Sequence, residues 1–444
     1  MNKISITIES IEKYKVIASY KTEGIVGTYI NQNEIPFLEF QTDISEVPKS
    51  VLIIPFLANI LPIAWIFNSI IDTPEVDKIF LNNLDKIENG YKNMYPGLEW
   101  FNTNIITKSI DNTDIPSKIN SGLFFSGGID AWTTLIKHLD ENPMLITIWG
   151  ADVKYDDDDS WQIVNTANTK TAENFNLNYQ VIKSNFRKTI YEWKLDRAIK
   201  NKAPDMWWHG FQHGISIISH AAPLAYLYGF ENLYIASSFP ESLTGLYTCA
   251  SDPTIDNYVN FCRCNTIHDG REFDRLGKIR FLMEQKEDVL SKMKFRVCWQ
   301  SNSNGKNCCK CEKCIRTILA LESVNCTGGI ERYGFSWSYE NIVNLKETFQ
   351  KSLSITQEQI KRYYIPIQKE FIKNKKNLKK FNSYKWFIFR NLIKFQYKIK
   401  IQNKQNDLKN KIKKFLKNLL NKKLSLSREK LQKAKKQNTI QTQK

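Results

Sequence analysis

Two groups of residues in this chain have types and spacing suited to chemistry. The first is Ser126-Gly127-Gly128-Ile129-Asp130, which follows the apolar run Leu123-Phe124-Phe125. Adjacent glycines let a backbone approach an anion with no Cβ between them. If a helix begins just beyond, its N-terminal N–H groups and those of the loop together make a seat for a phosphate. Ser126 adds a hydroxyl donor, and Asp130 adds a carboxylate able to hold Mg²⁺. No lysine follows the glycines, so this is not the nucleotide loop that ends in Lys-Ser/Thr. The same five residues also suit an ordinary strand-to-helix turn. The second group is Cys298, Cys308, Cys311 and Cys314. Four thiolates are what a tetrahedral structural Zn²⁺ requires, and full ligation leaves no open position for activating water. Cys309 makes the register ambiguous; Cys308 is preferred because it keeps two residues between successive ligands. Lys306, Lys310 and Lys313 offset the charge of such a site. Cys262-Arg263-Cys264 has no second half and is expected to hold no metal.

Elements must position these groups. From about 120 to 240 strand and helix patterns alternate: strands at Gly122–Phe125, Met144–Trp149, Tyr179–Lys183 and Asn232–Ser237, with helices over 131–139, 160–175 and 215–227. That alternation predicts an α/β fold with a parallel sheet, whose ligands bind outside the carboxyl ends of the strands. Ser126, Gly150-Ala151-Asp152, Ser184-Asn185 and Ser237-Ser238 all fall at those ends. Asp156 to Asp159 suit a solvated loop entering a helix N-terminus. Residues 1–115 are expected to form a small N-terminal α+β unit. Its strand signals are Ser5–Ile8, Lys15–Tyr20 and Gly27–Ile30, with a helix over Glu75–Leu84. Val51 to Ile71 is long and apolar enough to suggest a membrane span. Pro55 and Pro62 divide it, predicting a buried strand at Val51–Ile54 and a buried helix near Ile63–Phe67.

The net charge of +17 is unevenly placed. Residues 371–444 carry 24 of the 63 Lys+Arg but only Asp407 and Glu429 of the 46 acidic residues, so this segment is +22 and the rest is −5. A mildly acidic body argues against a nucleic-acid-binding core surface. The tail (346–444) is expected to be helical or partly disordered. Leu408, Ile412, Phe415, Leu416 and Leu419 recur at helical spacing among Lys411, Lys413, Lys414 and Lys417. That is a basic amphipathic pattern suited to an anionic membrane surface, or alternatively to RNA phosphates. Met1 to Ser5 lead into a strand-like pattern rather than a signal peptide. Clustered cysteines then point to a reducing, cytoplasmic setting, extending to the inner face of the membrane.

The Ser-Gly-Gly-x-Asp loop, followed some 170 residues later by the cysteine knuckle and Ile315-Arg316, resembles the PP-loop ATP pyrophosphatases. Within them it is most similar to the 7-cyano-7-deazaguanine synthase branch, over about residues 120 to 320. The resemblance implies an adenine nucleotide α-hydrolase-like parallel sheet with a four-cysteine zinc knuckle, spanning 116–345. It also implies ATP and Mg²⁺ as cofactors, and cleavage of ATP to AMP and pyrophosphate with adenylation of a small-molecule carboxylate or related group. Leu243 to Cys249 loosely matches that branch's substrate segment. The family usually has Ser after the motif aspartate; here it is Ala131, and Thr133 or Thr134 would have to compensate. The extra N-terminal unit and basic tail depart from the deazaguanine enzymes, so their substrate is not carried over. The order of elements also resembles an ATP-dependent epimerase acting on a UDP-muramoyl dipeptide. The knuckle run resembles proteins associated with bacterial surface-polysaccharide genes. A tRNA or nucleic-acid base modifier would suit the basic tail, and a non-catalytic nucleotide-binding protein would suit Ala131.

Adenylation needs a pyrophosphate cradle, a metal, and positive charge at the transferring phosphorus. Ser126, Gly127, Gly128, Ile129 and Asp130 are the expected cradle, with Gly150, Asp152, His209 and Gly210 as further ATP-binding candidates. Arg187, Lys188 and Lys183 are candidates for charge stabilisation. His209 and His213 flank a glycine-containing approach to a helix and suit phosphate contact or plain structural roles. In His268-Asp269-Gly270-Arg271-Glu272, His268 and Asp269 are candidate general bases, although Asp269 also suits a helix N-cap. Homodimerisation is left open.

Overall fold

A computed structural model describes residues 2–298, 306–338, 342, 345–347, 355–378, 380–402, 405, 408–414 and 416. Ten strands form one mostly parallel sheet: β1 (Asn2–Ile11), β2 (Lys15–Glu23), β3 (Phe37–Phe40), β4 (Ser69–Asp77), β5 (Ile105–Ile110), β6 (Ser121–Phe124), β7 (Met144–Trp149), β8 (Tyr179–Ser184), β9 (Asn232–Ala236) and β10 (Asn265–Asp269). Their spatial order is β10-β9-β6-β7-β8-β3-β2-β1-β4-β5. Strands β6 to β10 are all parallel to their neighbours within this group. Their chain order runs outward from β6 in one direction to β8 and then restarts beside β6 at β9. This is a doubly wound arrangement, and its switch point lies between β6 and β9, where such sheets open a crevice for ligands. The loop after β6 carries Ser126, and the loop after β9 begins with Ser237.

Residues 1–115 do not stand apart as a separate unit. Strand β3 pairs antiparallel with both β2 and β8, so the N-terminal strands continue the same sheet. Residues 1–337 together with 373–378 form one compact unit. The join rests on backbone ladder bonds made at β3, a four-residue strand with little pattern of its own.

The apolar segment after residue 48 is also corrected. Val51–Leu52 lies in a helical turn (Lys49–Leu52), not a strand, and a helix over Ile54–Ile66 follows at once. Pro55 falls in the first turn, where its missing N–H costs no ladder bond, and Pro62 lies inside the helix. Every residue from Ile54 to Trp65 is buried. A helix apolar on all sides shows no 3.6-residue period, so its sequence imitates a buried strand. No helix among the described residues is long and apolar enough to cross a membrane. Ile25–Thr28 forms a 3₁₀ turn where a strand was expected. The acidic run behaves as expected: Asp157 caps the helix Asp158–Phe175 by accepting from the Ser160 N–H.

The second compact unit comprises 338–372 and 379–444. Its described part is helical and has its own aromatic contacts, with the Phe371 ring 5.1 Å from Tyr384. Leu408, Ile412 and Leu416 are exposed. Phe415, Lys417 and Leu419 lie outside the described residues.

Candidate active site and metal centre

The loop after β6 is fixed by neighbours rather than by itself. The Phe125 N–H donates to Ile146 of β7, and the Phe125 carbonyl accepts from Thr147 Oγ1 at 2.7 Å and Asn168 Nδ2 at 3.2 Å. Gly127 then takes φ +76°, a left-handed conformation that favours glycine. Arg296 closes the loop from the far side: its backbone N–H donates to the Gly127 carbonyl at 2.8 Å, and Nη2 donates to the Ser126 carbonyl at 2.8 Å. Gly128 is the N-cap of the helix Ile129–Lys137, whose first-turn N–H groups have no carbonyl ladder ahead of them. Within the turn the Gly128 N–H donates to Ser126 Oγ at 3.4 Å, so the hydroxyl hydrogen of Ser126 and the first-turn N–H groups of the helix are what it offers a ligand. Ser126 is exposed, whereas Thr133 and Thr134 are buried. Thr133 Oγ1 donates to the Ile129 carbonyl at 2.9 Å, so it does not replace the hydroxyl that Ala131 lacks.

Asp130 is not an open metal ligand. Its Oδ2 lies 2.5 Å from Arg275 Nη1 and its Oδ1 2.9 Å from Lys278 Nζ. Burial alone would raise its pKa, but the two cations outweigh that and hold the carboxyl well below the usual range. Lys278 also donates to the Ser237 carbonyl at the end of β9. One lysine therefore ties the two loops that flank the switch point. Arg275 and Lys278 belong to the helix Arg275–Met283, capped by Asp274. Asp269 is not that cap; it ends β10 and pairs with Lys137 Nζ at 2.5 Å and His138 Nε2 at 3.4 Å. Burial would raise its pKa too, and His138 and Lys137 hold it low instead. A carboxylate so paired is a poor general base.

Asp152 is exposed in the loop after β7 and carries the local electrostatics. Lys313 is reached by solvent, yet burial by the surrounding atoms lowers its pKa; Asp152 and Asp130 oppose the shift, and Arg316 and Arg275 add to it. Burial also lowers the pKa of Arg296, against the pull of Asp152. His213 is pushed down to about 4, chiefly by burial, with Asp152 opposing and His209, Lys313 and Arg187 adding. Its Nδ1 is buried without a hydrogen-bond partner among the described residues. Asp152 thus acts on the charge of Lys313, Arg296 and His213, and Arg296 reaches the Ser126 loop directly.

Arg187 braces the loop after β7. Nε and Nη2 grip Glu192 at 2.7 and 2.8 Å, Nη1 donates to the Ala151 carbonyl at 2.9 Å, and the guanidinium stacks 4.0 Å from the Trp208 ring centre. Gly150 is needed for packing: a Cβ there would lie 1.8 Å from the Ser184 carbonyl oxygen. His209 and Gly210 are engaged elsewhere, beside Asp205. His268 is buried on β10 and bonded through Nδ1 to Asp256 at 2.7 Å. The residues missed by sequence reasoning are Arg275, Lys278 and Arg296, whose pairing partners lie 145 to 170 residues away.

The metal centre is compact. The sulfurs of Cys298, Cys308, Cys311 and Cys314 all lie within 4.8 Å of one another. Cys298 Sγ is 3.8 Å from Cys311 Sγ, and Cys308 Sγ is 4.0 Å from Cys314 Sγ. Four sulfurs each about 2.3 Å from a central ion would stand about 3.8 Å apart, so the set can hold a metal ion and fits Zn²⁺. The N–H groups of Lys310 and Cys311 donate to Cys308 Sγ at 3.4 and 3.2 Å, closing the turn around it. Cys309 takes φ +54° and is turned away, accepting from the Ser336 N–H at 3.3 Å. Cys262 and Cys264 are buried apart from this cluster, and burial raises both thiols. The helix Glu312–Ser323 starts inside the knuckle and carries Lys313, Cys314 and Arg316, so the cysteine cluster sets where Lys313 stands. No family model matches the chain, and neither do curated proteins or solved structures.

Proposed function

We propose that the cleft at the β6/β9 switch point binds ATP and cleaves it to AMP and pyrophosphate, adenylating a small-molecule carboxylate or related group. The observation that carries this reading is the union of an N–H-presenting Ser126-Gly127-Gly128 turn with Arg296 and Lys313, at the place where a doubly wound sheet opens its crevice. The turn and helix N-terminus would hold the pyrophosphate portion. Lys313 would supply charge at the transferring phosphorus. Mg²⁺ accompanying the nucleotide would meet the exposed Asp152, because Asp130 is already shared by Arg275 and Lys278. His213, neutral near pH 7, offers to nucleotide or acceptor an Nδ1 that has no hydrogen-bond partner among the described residues. Zn²⁺ at the four cysteines would keep the Lys313 helix in place and take no part in the reaction.

The test is turnover by the full chain with ATP, Mg²⁺ and fractionated pools of small carboxylates. Equimolar AMP and pyrophosphate are expected, appearing only with the fraction that holds the acceptor. ADP as product, or no turnover with any fraction, overturns the reading.

A further inference from the structure

The second compact unit contains a helix, residues 392–402, with apolar side chains on two opposite faces. Asn391 starts it: the side-chain oxygen accepts from the Lys394 N–H at 3.0 Å, an N-cap. One face is packed. Leu392 and Ile399 are buried, Gln396 donates to the Ile355 carbonyl, and the Phe395 ring stands 5.3 Å from Trp386. Their spacing of three, four and seven residues puts them on one side of a helix.

Tyr397 and Ile401, one turn apart, are 60% and 41% exposed. At about 100° per residue, each lies nearly half a turn round from Ile399. They are therefore not part of the packed face. Further along, Leu408, Ile412 and Leu416 are helical, recur every four residues, and are 60%, 50% and 52% exposed. Here no side is packed: every described residue from 408 to 416 is exposed. Large apolar side chains aligned in water mark a face that something else covers.

Charge selects what covers it. From 392 to 416 the chain carries eight lysines against Asp407 alone. Lys411 and Lys413 stand about 100° to either side of Ile412. Lys398 and Lys400 flank Tyr397 and Ile401 in the same way. Lysines so placed lay their stems along the apolar stripe and carry their ammonium groups outward from its edges.

We propose that Tyr397, Ile401, Leu408, Ile412 and Leu416 dock on the surface of an anionic lipid bilayer. The apolar stripe enters the boundary between headgroups and acyl chains, and the flanking lysines meet the lipid phosphates. The Tyr397 ring suits headgroup depth, with an apolar body and a polar tip. RNA would meet the lysines through its phosphates and leave the apolar stripe in water. A bilayer of negative charge takes up both. This face does not depend on the nucleotide reading.

The experiment floats the full chain with vesicles of phosphatidylcholine, with and without about 30% phosphatidylglycerol. The chain is expected to float with the anionic vesicles and to stay largely behind with the neutral ones. Raising salt from about 0.1 M to about 0.5 M should release most of it, because the lysine contribution is screened. Leu408→Ser combined with Ile412→Ser keeps every lysine and should weaken binding at least about tenfold. Both positions are exposed, so no core is lost. Lys411→Gln combined with Lys413→Gln should also weaken binding about tenfold, and on anionic vesicles alone. A chain that stays behind with every vesicle, or that binds equally well with and without the apolar pair, overturns the proposal. So does a mixed tRNA fraction that displaces the chain from anionic vesicles and binds the Ser variant as tightly as the wild type.

Discussion

The knuckle and the cleft sit side by side, yet they are built in opposite ways. The knuckle draws its four sulfurs from residues 298–314. The cleft draws Asp130 together with cations 145 and 148 residues further on, and ties Ser126 to Arg296 across 170 residues. A centre made locally gains its folding free energy directly from the ion it binds. A centre made from distant segments depends on the packed sheet, so removing one member degrades it by steps. Lys313 belongs to both, lying between Cys311 and Cys314 in the chain and within electrostatic reach of Asp152 and Asp130.

The largest effect should come from breaking the local centre. Cys311→Ser removes one of four ligands from the middle of the cluster. Metal content measured on the purified chain should fall from about one ion per chain to background. Loss of a structural ion removes folding free energy directly, so the thermal midpoint should drop by about 10 °C or more. Retention of a stoichiometric ion, or an unchanged midpoint, would mean that the knuckle is held by packing like the cleft.

The next effect tests the opposite principle. Lys278→Met leaves Asp130 with Arg275 alone and frees the Ser237 carbonyl. Arg275 still compensates Asp130, so the cost is expected at about 2 kcal/mol, below that of leaving a buried charge with no partner. In urea unfolding, Asp130→Asn on top of it should cost less than Asp130→Asn alone, by about 1 kcal/mol or more, because the Asp130–Lys278 contact is already gone. Strict additivity of the two substitutions would show that Asp130 is solvated rather than paired. Metal content should stay unchanged in both variants.

A third test reaches the end of β8, where His220 bonds Ser184 Oγ at 3.0 Å and the Ser216 carbonyl. Burial lowers its pKa from 6.5 to about 4. Between those values the unfolded chain binds the extra proton and the folded chain does not. Stability from this group is therefore complete above pH 6.5 and is lost progressively as pH falls toward 4, to a total of about 3 kcal/mol. His220→Leu removes the titration. The gap between wild-type and variant urea stabilities should shrink by that amount from pH 7.5 to 4.5, and a gap that does not change with pH excludes the buried neutral imidazole.

The same contrast explains what could be known beforehand. Strands β6 and β7 announce themselves as buried apolar runs bounded by turns, with Met144–Trp149 the plainest case, whereas β10 (Asn265–Asp269) is parallel too but carries no such run. The cysteines announce themselves by spacing. Val51 to Ile66 does not, because a helix buried on every side has no polar face to mark its period. Nor does β3, whose place beside β8 is decided by three backbone register pairs and not by its four residues. At the cleft, Ser126 to Asp130 carry a motif, but Arg275, Lys278 and Arg296 look like any surface cations until the chain folds. Asp130 itself was legible as a charge and illegible as a partner, since its role is set by residues on a helix far along the chain.

The smallest effect isolates the residue shared by the two centres. Lys313→Ala removes the ammonium facing Asp152 but none of the sulfur ligands, and position 313 is exposed, so no cavity is left. Metal content and thermal midpoint should match the wild type. If Lys313 meets the transferring phosphorus, pyrophosphate release in the presence of the acceptor should fall by about 10- to 100-fold, mainly in kcat. Lys313→Arg should restore part of that loss, because the charge is kept and only its reach changes. A change confined to KM would place Lys313 on the bound nucleotide without a role in the transition state. Loss of metal along with activity would instead make the lysine part of the knuckle, and the cleft would then depend on the local centre for more than the position of one helix.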